Sequence, residues 1–305
     1  MKVVMLIPCL MLPNNKEANH DAMAFAQKHY PVDEFIVNDA EFDISDYKKG
    51  FTYIGHHKER QGFVKTRNQL LEYFYNSDAD YAIWMDANKR VSAPTLNDFI
   101  TLIEATKKGM VNVDAVFSTL GIWVSGERMQ VKQMPDYFDY TYLVNYTSGY
   151  DWFHGLMMKN LKKHHGIELY IDERCDPRVG TPEDVYFARF LKRVVNYRLA
   201  AGVCINAPSN KTSTWMSNKI GYDYPKVDYA LVDKYVNEKI KSQHIKRLPI
   251  TYDTIKLPRD KRFKELLKPY QTRARKVVKK PNKALLTSTK KTSTKQAKKL
   301  LSPKK

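Results

Sequence analysis

Between Gln61 and Asn88 the chain sets an amphipathic helix ahead of a buried strand that ends in an Asp-x-Asn triplet. Phe63, Val64, Leu70, Leu71 and Phe74 recur at helical spacing and give a helix one apolar stripe. Tyr81-Ala82-Ile83-Trp84-Met85 follows as an apolar run too short for a helix and without alternation. A parallel strand covered on both faces reads in this way. A helix feeding such a strand belongs to an α/β sheet with helices packed against its faces.

Asp86 and Asn88 stand at the C-terminal end of that strand, the edge at which open α/β sheets bind ligands. Arg67 falls on the apolar stripe of the preceding helix, and a buried guanidinium requires an acid or a phosphate beside it. Two readings of Asp86 stay open. It is a strand-end carboxylate paired with Arg67, or it holds a hard divalent cation that bridges phosphates and stabilises a departing diphosphate.

The rest of the N-terminal half alternates strands and helices. Strands are expected at Val3–Leu10, Glu34–Val37, Phe51–Ile54 and Val113–Thr119, with helices at Glu17–His29 and Leu96–Lys107. Neither Gly-x-Gly-x-x-Gly nor a Walker loop occurs. Residues 123–150 are rich in Tyr and Asp and read as an acceptor-side loop or as a hairpin at the sheet edge. Three regions are expected: a catalytic domain over 1–210, a helical extension over 211–270 that includes Val227–Ile245, and a Lys-rich tail over 271–305 too poor in large apolar residues to fold alone.

An Arg67-Asn68 helix followed by a strand ending in Asp86-Ala87-Asn88 resembles the donor-binding core of nucleotide-sugar glycosyltransferases of the GT-A fold, the family-2 group above all. That resemblance continues through Asp151–Met158, a Gly-containing strand, Ile167–Asp172, a further strand, and Thr181–Leu191, a Glu-Asp helix. It implies a Rossmann-like sheet, a nucleotide-sugar donor, uridine diphosphate by family likeness, and Mn2+ or Mg2+ held at Asp86 and Asn88. The family carries a second Asp where Asn88 stands, and a neutral amide lowers the expected metal affinity. Donor contacts implied by the resemblance are Pro8, Asp39, Arg67 and Asp86, with Asp39 at the nucleoside.

Thr181 suits an N-cap, Pro182 the first helical position and Asp184 a capping-box-like arrangement, so the acids of this helix have a structural explanation. Asp184 also shares a stripe with Ala188, Leu191 and Val195, which turns it toward core or cleft. A carboxylate in a cleft takes a raised pKa and serves as general base toward a hydroxyl. The Glu-Asp pair supplies that base in inverting relatives, which implies Asp184 with Glu183 in reserve. Trp152, His154 and Arg178 are the acceptor-side candidates. Each has an ordinary alternative: a core aromatic, a structural histidine and a surface charge.

The formal net charge is +18, yet residues 271–305 hold 13 Lys/Arg and no acid, leaving 38 Lys/Arg against 33 acids before them. Such a tail binds polyanions by counterion release. Three dispersed cysteines, no signal-peptide pattern and no membrane-length run fit a reducing cytosol. The chain is compatible with the small glycosyltransferases of tailed phages that decorate hydroxymethylated pyrimidines, which makes double-stranded DNA the expected acceptor and host cytoplasm the expected location. Two competitors remain: transfer to a polysaccharide, teichoic-type polymer or protein, and a non-catalytic nucleic-acid-binding protein on a degenerate transferase scaffold.

Overall fold

A computed structural model describes residues 1–10, 23–24, 26–28, 32–40, 50–57, 61–87, 93–118, 140–144, 156–201, 225–251 and 253–258. Its strands are β1 (Val3–Leu10), β2 (Glu34–Ala40), β3 (Phe51–His57), β4 (Tyr81–Trp84), β5 (Ala115–Ser118), β6 (Tyr140–Val144), β7 (Leu156–Lys159), β8 (Tyr197–Ala201) and β9 (Ile255–Pro258). Its helices are α1 (Phe63–Asn76), α2 (Ala93–Lys107), α3 (Leu161–His165), α4 (Glu183–Val194) and α5 (Tyr229–Ser242). Residues Met23, Ala24 and Ala26–Lys28 are helical, as expected there.

Among the described residues the strands form one nine-stranded sheet in the order β3-β2-β1-β4-β7-β5-β8-β6-β9. β1 is parallel to both β2 and β4, and β2 to β3. β7 enters antiparallel between β4 and β5, and β8 runs parallel to β5. All four residues of β4 are buried, as its unbroken apolar run requires.

Alternate residues of the strands feed two cores. Val4, Leu6, Ile36, Ala82 and Trp84 share one with Leu70, Leu71 and Phe74 of α1 and with Tyr186, Phe187 and Phe190 of α4. Met5, Ile7, Tyr81 and Ile83 share the other with Phe99, Leu102 and Ile103 of α2. Helices thus cover both faces of the sheet, and α5 closes over α4 through Val232 and Val236. Fully burying one such Leu or Phe side chain contributes roughly 1.5–3 kcal/mol.

Three expectations change. Within 123–150, Tyr140–Val144 is a strand paired with β8 and β9, built from β-branched and aromatic residues. The segment 211–270 supplies α5 but also β9, which lies at an edge of the sheet. Ile167–Asp172 is not a strand of the sheet, because β7 already fills the gap between β4 and β5. That stretch is an extended strap held by α1. Asn68 both donates to the Ile171 carbonyl (2.9 Å) and accepts from its amide (2.8 Å). Tyr75 does the same to Leu169, at 3.2 and 3.3 Å.

Candidate active site

The C-terminal ends of β1, β2 and β4 lie side by side. Pro8 pairs with Asn38 and Cys9 with Asp39, while the Ala87 amide meets the Pro8 carbonyl at 3.4 Å. Asp86 leaves the end of β4 here with its side chain 27% exposed. The structure therefore brings Pro8, the backbone of Asp39 and Asp86 to one edge, where the sequence placed them.

Arg67 reaches the same edge from the second turn of α1. Its side chain is only 6% exposed, with Nη2 3.5 Å from Asp86 Oδ1 and Nη1 3.7 Å from Glu183 Oε1. The Phe63 ring lies 5.9 Å from the guanidinium carbon. The acid required by a guanidinium on an apolar stripe is thus supplied twice. Leaving such a charge uncompensated would cost about 3–5 kcal/mol.

Glu183 and Asp184 open α4. The N-cap is Pro182, without a side-chain cap, which corrects the capping expectation for Thr181. Thr181 instead exchanges hydrogen bonds with the backbone of Asp176, at 3.0 and 3.1 Å. Asp184 Oδ1 accepts from the Val185 amide at 2.8 Å.

Burial pushes the Asp184 carboxyl from its ordinary value of 3.8 up to about 7. The neighbouring charge of Glu183 adds to the rise, and Asp86 adds a little more. Arg67 and the Val185 amide oppose it. Asp184 thus shares one guanidinium with two other carboxyl groups, and burial together with like charge favours its protonated form. Near neutrality such a carboxyl exists in both forms, which suits proton exchange with a hydroxyl.

A cleft of ≈ 1590 Å³ opens beside this cluster between the start of α1 and the strap. Glu183, Asn68, Tyr170, Arg174 and Arg178 are among its lining residues. Arg178 is largely exposed and is clasped by Asp176, with Nη2 2.7 Å from Oδ2. Arg174 is held by Asp172 and Glu238 and lies 4.0 Å over the Tyr235 ring. Trp152, His154 and Asn88 lie outside the described residues, as does the side chain of Asp39.

Among the described residues no three His, Cys, Asp or Glu side chains converge to hold a metal ion by themselves. Asp86 nevertheless fits a cation that takes most of its ligands elsewhere. Magnesium sites commonly use one or two carboxylates together with substrate phosphates and water.

Two asparagines in this region had no role assigned from sequence. Asn38 is fully buried at the end of β2 and donates to the Thr66 carbonyl (2.9 Å) and to Gln69 Oε1 (2.8 Å). Its only signal was an amide ending the apolar run Phe35-Ile36-Val37. Asn68 was visible beside Arg67, but its target at Ile171 was not.

No protein-family model matches the sequence, and neither does any curated protein sequence. Solved structures do align with the fold. S. aureus TarS 1–349 in complex with UDP-GlcNAc matches with a TM-score of 0.50 at 16% identity, over 79% of this chain and 66% of that one. The same protein in complex with UDP gives a TM-score of 0.45 at 16% identity, over 66% and 57% of the two chains. The chain therefore spans less than two thirds of the TarS chains it matches. Strand order, two-sided helix cover and the match to TarS give the chain the GT-A type of α/β fold.

Proposed function

We propose that this protein is a glycosyltransferase that moves a sugar from a nucleotide donor, a uridine-diphosphate sugar, to an acceptor hydroxyl. The observation that carries the reading is a partly exposed Asp184 with a pKa near 7, set against Arg67, Asp86 and Glu183 at the ligand-binding edge of the sheet. The UDP-GlcNAc bound to the TarS structure supports the choice of donor.

In this reading Asp184 accepts the proton of the acceptor hydroxyl as its oxygen attacks the anomeric carbon. The new glycosidic bond forms while the bond from that carbon to the diphosphate breaks, and the diphosphate leaves with the electron pair. Glu183 keeps the Asp184 pKa high and pairs with Arg67. Pro8 and Asp39 border the nucleoside, and Arg67 stands at the phosphate side. Asp86, with Asn88, would hold Mn2+ or Mg2+, which supplies Lewis-acid stabilisation of the leaving diphosphate. Trp152, His154 and Arg178 form the acceptor side.

For the acceptor we favour a hydroxymethylated pyrimidine in double-stranded DNA, because residues 271–305 carry 13 Lys/Arg and no acid. Removing that tail should weaken transfer to hydroxymethylated DNA and spare transfer to a neutral saccharide.

The deciding experiment incubates the protein with a panel of nucleotide sugars, with and without manganese, and follows thermal shift and slow donor hydrolysis. A shift and hydrolysis with one uridine-diphosphate sugar is the expected result. Neither response with any donor would overturn the reading and favour a nucleic-acid-binding protein on this scaffold.

A further inference from the structure

Arg67 and the acids at the start of α4 come from distant parts of the chain, and something must fix their separation. Asn68, the next residue on α1, makes the bidentate pair of bonds to Ile171. An amide side chain paired with both backbone groups of one residue does the work of a neighbouring strand, which the strap lacks among the described residues. Beyond Ile171 the chain is closed by short-range bonds all the way to α4. The Cys175 amide bonds the Asp172 carbonyl (3.0 Å), the Val179 amide bonds the Asp176 carbonyl (3.1 Å), and the Thr181 amide returns to that same carbonyl (3.1 Å). Arg174 braces the strap against Glu238 of α5 at 2.7 Å. A displacement of Ile171 therefore carries through to Glu183.

The opposite side of the same helical turn is held as well. Asn38 fastens Thr66 and Gln69 to β2, so the residues flanking Arg67 are tied to the sheet on one side and to the strap on the other.

We infer that Asn68 is a positioning residue: its clamp on Ile171 sets the spacing between Arg67 and the Glu183–Asp184 pair. The inference rests on the reading of Asp184 as the base, but it concerns geometry that is measurable without turnover. Among the described residues, the charged groups facing Asp184 are Arg67 from α1, Asp86 from the end of β4 and Glu183 from its own helix. Of these only Arg67 lowers its pKa, so a looser clamp moves the titration of Asp184 upward.

The test follows Asp184 by carboxyl-carbon NMR titration of the whole protein, with the signal assigned from Asp184→Asn. Asn68→Leu keeps the size of the side chain and adds no charge, but removes both bonds to Ile171. It should raise the Asp184 midpoint by about half a pH unit, a fraction of the roughly 1–3 units that a directly paired Arg produces, because Arg67 acts on Asp184 through space while its ion pairs go to Asp86 and Glu183. Tyr75→Phe cuts the other tie to the strap, away from Arg67, and should lower Tm without moving the midpoint. Asn68→Gln retains the amide on a longer arm and should give a smaller shift of the same sign; it carries the test if Asn68→Leu does not fold. An unchanged midpoint in the folded Asn68 variants overturns the inference. Turnover retained in Asp184→Asn, together with a shifted midpoint in Asn68→Leu, would end the base assignment and leave the clamp standing.

Discussion

Nη1 of Arg67 stands 3.7 Å from Oε1 of Glu183, joining the helix before the fourth strand to the helix that carries the proposed base. The same guanidinium touches Asp86 through its other terminal nitrogen. It is the hub of the site, and several consequences can be measured.

Asp184→Asn should reduce transfer by about 10²–10⁴-fold, the usual contribution of a general base, while donor binding persists. It should also change the dependence of stability on pH. The Asp184 pKa rises from 3.8 to about 7 on folding. Between those values the folded protein keeps a proton that the unfolded chain has released. This group therefore lowers stability progressively as pH climbs through that window, with no further change above it. The Asn variant should gain Tm over the wild type at pH 8 and match it near pH 3. An equal difference at both pH values would contradict the burial of Asp184.

Arg67→Met removes the guanidinium that meets both Asp86 and Glu183. Loss of about 3–5 kcal/mol is expected at neutral pH, in the range for breaking a buried pair. Arg67→Lys should not restore it fully, because one ammonium cannot span Asp86 and Glu183 as the guanidinium fork does. Urea denaturation of both variants at neutral pH checks this.

Asp86→Ala should weaken nucleotide-sugar binding in the presence of manganese and change it little in chelator. Calorimetric titration under both conditions checks this. Equal affinity of variant and wild type in manganese would remove Asp86 from any metal site.

Gly180→Ala should destabilise the protein by roughly 1–3 kcal/mol, the cost of a strained backbone conformation. Gly180 has φ of +79°, and an added Cβ would lie 2.9 Å from the Lys226 carbonyl oxygen. That contact belongs to the docking of α5, where the Asp228 amide bonds the Gly180 carbonyl at 2.8 Å. Thermal denaturation reads the loss directly.

Much of the Arg67–Asp86 edge was legible because its signals are local. An apolar stripe interrupted by Arg67 and an apolar run ending at Asp86 each demand a particular surrounding, and the two demands meet in one ion pair. Asp184 was legible through helical spacing with Ala188, Leu191 and Val195, and the last three are buried. The strap was not. Residues 167–172 read as a strand from their composition, but whether an extended segment joins a sheet depends on which strands already occupy it. β7 had taken that place, and the partners of the strap are side chains of a helix a hundred residues away. β9 shows only a short alternation, and its pairing with β6 is likewise a property of the whole chain.

β7 is four residues long, fully buried, and, among the described residues, the one strand that touches both β4 and β5. It acts as a keystone in time as well as in space. During synthesis the first four strands can associate as soon as they emerge, but their union with β5 must wait until Lys159 has been made. The later half-sheet needs in addition β8, β6 and β9, the last ending at Pro258. Pairings of such long sequence separation are slow to form. A nascent chain stalled before Leu156 would therefore present the open flank of β4, whose backbone groups invite another strand.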